Sequence, residues 1–130
     1  MNKIVKGLMI AGTLGASLMA FTRTADAKDK DGNIVIVIDP GHGGEDPGSL
    51  ATTGVTESKC NYAIAEVMKK ELSKYDGVKV YLTREEDTWM TNMGRAMIAA
   101  DLNADFLISI HNNSGSDSNT GALAFRSLNS

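Results

Sequence analysis

Five consecutive β-branched residues, Ile34-Val35-Ile36-Val37-Ile38, constrain this chain more than any other feature. A strand with one wet face alternates apolar and polar side chains. An unbroken run belongs to a strand buried on both faces, as happens where helices cover both sides of a parallel sheet. The run stops at Asp39-Pro40, and the 18 residues from Asp39 to Thr56 hold five glycines and two prolines. That composition predicts a long irregular connection, and a loop of such length inside a small domain usually carries function.

The rest of the chain continues the pattern. A helix is predicted from Glu57 to Tyr75, with Thr56 as N-cap and Gly77 as its stop. Its apolar stripe reads Cys60, Ile64, Val67, Met68, Leu72 and Tyr75, with lysines on the opposite side. Val78 to Thr83 alternates as a strand, Met90 to Leu102 reads as a second helix, and Ala104 to Ile110 as a third strand. Residues 112–120 are a loop by composition, and "GALAFRS" from Gly121 is a candidate for the start of a fourth strand. Strand, helix, strand, helix, strand in that order predicts an α/β fold with a mainly parallel sheet flanked by helices.

The N-terminus follows different rules. Lys3 and Lys6 precede an apolar stretch from Leu8 to Phe21, and "ADA" at Ala25 to Ala27 offers the small residues of a cleavage site. This is the three-part pattern of a secretory signal peptide, residues 1–27. That stretch of 14 residues falls short of the roughly 20 that span a bilayer, so stable membrane insertion is not expected after cleavage. Residues 28–130 then form one small domain with ten basic and fifteen acidic residues, a net charge of −5. An acidic surface argues against nucleic acid as a partner. The single cysteine, Cys60, cannot form an internal disulfide and is expected as a buried thiol on the helix's apolar face.

Three side chains converge on one edge. In a parallel sheet the loops leaving the C-terminal ends of the strands share a rim, where ligands bind. His42 lies shortly past the first strand, His111 directly follows the third, and Glu57 opens the helix that starts at the same rim. Glu57 shares its helical phase with Ile64 and Met68, so a carboxylate heads the inward face, a costly position unless something positive binds it. Two histidines and one glutamate from three elements match the ligand set of a catalytic zinc site with its fourth position open. Taken singly, His111 reads as a structural histidine, Glu57 as a first-turn acid favoured by the helix dipole, and the glycine-rich loop as a phosphate cradle. The cradle reading lacks the lysine of a P-loop and the strand–turn–helix context of a dinucleotide fingerprint.

With those residues in place, "IVIDPGHGGEDPG", "GVTESKCNYAIA", "VYLTREEDT", "GRAMIAADLNADFLISIHNN" and "TGALAF" together resemble the zinc-dependent N-acetylmuramoyl-L-alanine amidases of bacterial cell-wall hydrolysis, over Ile34 to Phe125. The resemblance implies an α/β domain holding one Zn2+ through His42, Glu57 and His111 at the C-terminal rim of the strands. It implies a secreted or cell-envelope enzyme whose substrate is peptidoglycan. The reaction is hydrolysis, by a zinc-activated water, of the amide joining N-acetylmuramic acid to L-alanine of the stem peptide. Asp39 is a candidate to orient His42 or to serve the turn, and Arg84 and Arg95 are expected as structural ion-pair formers. The family also carries a later glutamate as general acid/base. No Glu follows His111 here, and Glu45 is a weak substitute, so that residue is expected beyond Ser130, with the domain incomplete at its C-terminus. The alternative is a catalytically dead zinc- or peptidoglycan-binding module.

Overall fold

The computed structural model describes residues 28–112 and 122–126. The expected signal segment, residues 1–27, and most of the loop expected at 112–120 lie outside those residues. Three strands form one sheet: β1 (Ile34–Pro40), β2 (Val78–Leu82) and β3 (Phe106–Ile110), in the order β2-β1-β3. Both pairings are parallel, with Ile34 opposite Val78 and Pro40 opposite Ile110 at the two ends of β1. Helix α1 (Glu57–Leu72) and helix α2 (Asn92–Asp101) make the crossovers.

The β-branched run does what its pattern requires. Ile36 and Ile38 face one side, packing with Ala65 of α1, Val80 and Ile110, and flanked by Met68 and Leu72. Val35 and Val37 face the other, with Ala99 of α2 and Ala104. The central strand is thus covered on both faces, and the α/β expectation stands. Among the described residues no helix is long and apolar enough to cross a membrane.

Four details differ from the expectation. The buried arc of α1 is Glu57, Ser58, Asn61 and Ala65, not the stripe through Cys60, Ile64 and Val67. Ile64 is 42% and Val67 62% exposed, Tyr75 is exposed beyond the helix end, and Cys60 is only partly buried. The helix is rotated by roughly two-thirds of a residue step from its apolar stripe, because polar Ser58 and Asn61 are drawn inward by bonds to the rim loop. Second, α1 ends at Leu72 with Ser73 as its cap. Gly77 acts later, at φ 76°, turning the chain into β2 where its carbonyl accepts from Ile34 N–H. Third, Thr56 is the N-cap residue of α1 but its side chain caps nothing. The rim loop does so instead: Glu57 and Ser58 N–H donate to the carbonyls of Ser49 and Pro47. Fourth, Ala122 to Arg126 form no strand and are exposed. Their apolar pattern buries nothing, so no ladder bond has packing to support it.

Candidate metal centre

The register of the sheet decides which loops meet. β1 and β3 are neighbours, and their pairing carries on past the strand ends through Gly41 N–H donating to Ile110 O at 2.9 Å. His42 and His111 therefore leave adjacent strand ends. Their rings meet edge to face, with centroids 4.9 Å apart. Gly41 makes this approach possible: a Cβ there would fall 2.2 Å from His111 Cε1 and 2.3 Å from Nε2. Gly48 has the same task on the loop's return, at φ 63°, where a Cβ would fall 2.6 Å from His42 Cδ2. Glu57 comes up from the first turn of α1 and is only 6% exposed.

The three residues predicted from the sequence are brought together. One possible donor atom from each of His42, Glu57 and His111 lies within 4.8 Å of the others. Glu57 Oε1 sits 3.2 Å from His42 Nε2 and 3.2 Å from His111 Nδ1. Two donors held at 2.0–2.1 Å by one tetrahedral ion lie roughly 3.3 Å apart, so these separations fit.

Electrostatics make the same point. Burial alone would raise the Glu57 pKa. The backbone N–H groups of Ser49 and Asn112, the Ser49 hydroxyl and the neighbouring His42 outweigh it and hold the carboxyl at about 2. Glu57 is a fixed negative charge. Opposite it, His42 Nδ1 lies 2.8 Å from Asp46 Oδ2. A carboxylate only accepts, so Nδ1 turns a proton toward Asp46, and Nε2 is the atom left facing Glu57 Oε1. A ring nitrogen and a carboxylate oxygen 3.2 Å apart need a cation or a proton between them. The donor set suits a divalent metal.

Asp46 is the residue that sequence reasoning missed. Asp39 was the candidate to orient His42, but it bonds elsewhere. Its Oδ1 accepts from Thr83 Oγ1 at 2.6 Å and Arg95 Nη1 at 2.7 Å, and its Oδ2 from Ser109 Oγ at 2.8 Å. Asp46 lies four residues beyond His42 and also accepts from Gly48 N–H, closing a tight turn under the imidazole. Its neighbour Glu45 is exposed. Nothing in "GHGGEDPG" says which of the two acids turns back. Arg95 is the ion-pair former expected, joined to buried Asp39. Arg84 is not: it donates to the carbonyls of Pro40, Gly41, Ser58, Glu85 and Glu86. Asn61 adds a further support, donating to Gly41 O and accepting from Asn112 beside His111.

Comparison with known proteins gives the family. The family model described as N-acetylmuramoyl-L-alanine amidase matches residues 36–129. The chain belongs to that family. It is similar to the sporulation-specific N-acetylmuramoyl-L-alanine amidase of Bacillus subtilis, at 40% identity over 63% of this chain and 32% of that protein. It is also similar to the AmiC amidase of Escherichia coli O6:H1, at 38% identity over 63% of this chain and 20% of that protein. Among solved structures, the N-acetylmuramoyl-L-alanine amidase of Clostridium difficile 630 superposes with a TM-score of 0.64 at 36% identity, over 69% of this chain and 49% of that one. The chain thus spans about half the length of that solved relative and a fifth to a third of these two curated ones.

Proposed function

We propose that this chain acts as a zinc-dependent N-acetylmuramoyl-L-alanine amidase, exported by residues 1–27, which hydrolyses the amide between N-acetylmuramic acid and L-alanine of the peptidoglycan stem peptide. The observation that carries the reading is the buried, ionised Glu57 with a histidine nitrogen 3.2 Å away on each side, in a chain of the amidase family.

His42, Glu57 and His111 would hold the zinc. When bound, zinc supplies a Lewis acid that polarises the amide carbonyl and lowers the pKa of water toward neutrality. The chain's own residues do the rest. Asp46 holds the proton on His42 Nδ1 so that Nε2 faces inward. Ser49 and the Asn112 N–H keep Glu57 charged and fixed in orientation. Both imidazoles are partly exposed while Glu57 is buried beneath them, which leaves the open side of the cluster facing solvent and substrate.

A second reading, a non-catalytic zinc- or peptidoglycan-binding module, has one observation in its favour. Both Glu57 oxygens are engaged and Asp46 is committed to His42 and Gly48. Among the described residues the cluster therefore has no spare carboxylate to carry a proton between water and the leaving amine. Purified peptidoglycan and defined muropeptides, incubated with the zinc-loaded protein, separate the two. Stem peptides with a free L-alanine amino group are the expected product. Retained wall binding without release would favour the module, and cleavage at any other bond would assign a different hydrolase.

The metal assignment has its own test. His42→Ala, Glu57→Ala and His111→Ala should each abolish stoichiometric zinc in folded protein, measured by elemental analysis. Zinc near one per chain in all three would show the site to be elsewhere.

A further inference from the structure

We propose that Arg84 and Arg95 are positioning residues for the metal-ligand loop, together drawing the carbonyls of Pro40, Gly41 and His42 into the protein and so turning the His42 imidazole out toward Glu57 and His111. The inference rests on the zinc reading of that cluster.

Three successive carbonyls point the same way. Pro40 O accepts from Arg84 Nε at 2.8 Å and Arg95 Nη1 at 2.8 Å. Gly41 O accepts from Arg84 Nη2 at 3.0 Å and Asn61 Nδ2 at 3.2 Å. His42 O accepts from Arg95 Nη2 at 2.7 Å. Consecutive peptides do not aim their oxygens at one place in a strand, where they alternate. The bend that achieves it leaves His42 at φ 61°, a left-handed conformation that a non-glycine residue adopts only when its surroundings impose it. The surroundings here are two buried guanidiniums from separate elements: Arg84, two residues beyond β2, and Arg95, in the first turns of α2.

Their burial is otherwise hard to account for. Among the described residues only Asp39 pairs with Arg95, and Arg84 hydrogen-bonds to carbonyl oxygens and to no carboxylate. Burial and the nearby Arg95 charge both work against Arg84 holding its proton. Like charges buried side by side are retained where their forks match fixed acceptors. The acceptors are the loop that carries His42.

Arginine-to-lysine changes test this, because an ammonium keeps the charge but cannot span the carbonyls of Pro40 and His42 with one planar fork. Arg95→Lys and Arg84→Lys are made in the full chain, with zinc affinity read by competition against a chromophoric chelator. The absorption of bound Co2+ reports ligand geometry, and thermal unfolding of the metal-free protein reports stability. Asp105→Asn is the control for general destabilisation, since Asp105 accepts from Val35 N–H at the far end of β1. We expect each lysine variant to bind zinc about tenfold or more weakly, with an altered Co2+ spectrum, the range seen when a ligand's supporting partner is lost. Asp105→Asn should lose stability and keep its affinity. Zinc binding within about threefold of the unmodified protein in both lysine variants, well inside the range for such supports, would overturn the proposal. So would a loss no larger than Asp105→Asn shows, or failure of both variants to fold with zinc present, since the arginines would then serve the core. His42→Ala in the same assay keeps the two ideas apart: zinc retained there overturns the metal assignment itself.

Discussion

Asp46→Asn removes one charge and one acceptor beneath His42 and leaves the rest of the loop unchanged. Asp46 uses its oxygens separately, Oδ2 for His42 Nδ1 at 2.8 Å and Oδ1 for Gly48 N–H at 3.0 Å. The asparagine amide has a single acceptor oxygen, so it can serve one of these and not both. Where its NH2 faces His42, the imidazole must move its proton to Nε2, the atom aimed at Glu57, and a protonated Nε2 cannot bind a metal. Loss of such a partner typically weakens metal binding 10–100-fold. The Asp46 side chain is 47% exposed, so water replaces part of what is lost. We therefore expect the low end, about tenfold or about 1.4 kcal/mol. Asp46→Ala frees Gly48 as well and should cost more. Chelator competition at neutral pH measures the effect, with metal-free stability followed in parallel. Zinc affinity within about twofold of the unmodified protein in both variants, well short of that range, would refute the claim that Asp46 sets the His42 tautomer.

Three other perturbations have defined outcomes. Gly41→Ala puts a methyl group where the His111 ring lies; zinc stoichiometry should fall while far-UV circular dichroism persists, and full zinc loading would show the ring free to move. Asp39→Asn leaves buried Arg95 without its counter-charge, and urea denaturation should show a loss of about 3 kcal/mol, the lower part of the range for a broken buried pair. Lys79→Met should flatten the acid limb of the stability curve. Lys79, with help from Asn33 and the Asp31 N–H, holds the Asp29 carboxyl well below its usual 3.8. That contribution is complete above the unfolded-chain value and is lost as pH falls below it. An unchanged slope between pH 6 and 2 would remove Asp29 from the account.

The fold was legible where burial is two-sided. Ile34 to Ile38 has no polar member, so its central place needed no knowledge of partners, and the parallel order followed from the helices between strands. The three candidate ligands were legible for the same reason, since topology alone brings the ends of β1 and β3 and the start of α1 to one rim. What escaped was polar burial. Asn61 and Ser58 count as solvent-facing in any hydrophobic pattern, yet they are buried by bonds to the loop and to Arg84. Counting them as exposed turned the helix the wrong way. Asp46 fills the role expected of Asp39 on similar grounds: a carboxylate's partner depends on the path of a loop, and glycine-rich loops leave that path open.

The separation of holding a metal from using it follows from the topology. The chain covers about half of a solved amidase, yet the cluster needs only two adjacent strand ends and one helix start, all within residues 34–112. Its supports are equally local. Asp46, Ser49, Asn61, Arg84, Arg95 and Asn112 lie in the same span, and among the described residues no buried side-chain polar atom lacks a partner. On the zinc reading, metal affinity is therefore a property of this span. Turnover asks for one thing more, a group able to pass a proton from water to the departing amine, and every carboxylate described at the cluster is already bonded. On the proposed reading, zinc binding and amide hydrolysis should accordingly respond to different substitutions: changes at the carbonyl clamp and at Asp46 should act on affinity and leave the rate at saturating zinc far less altered.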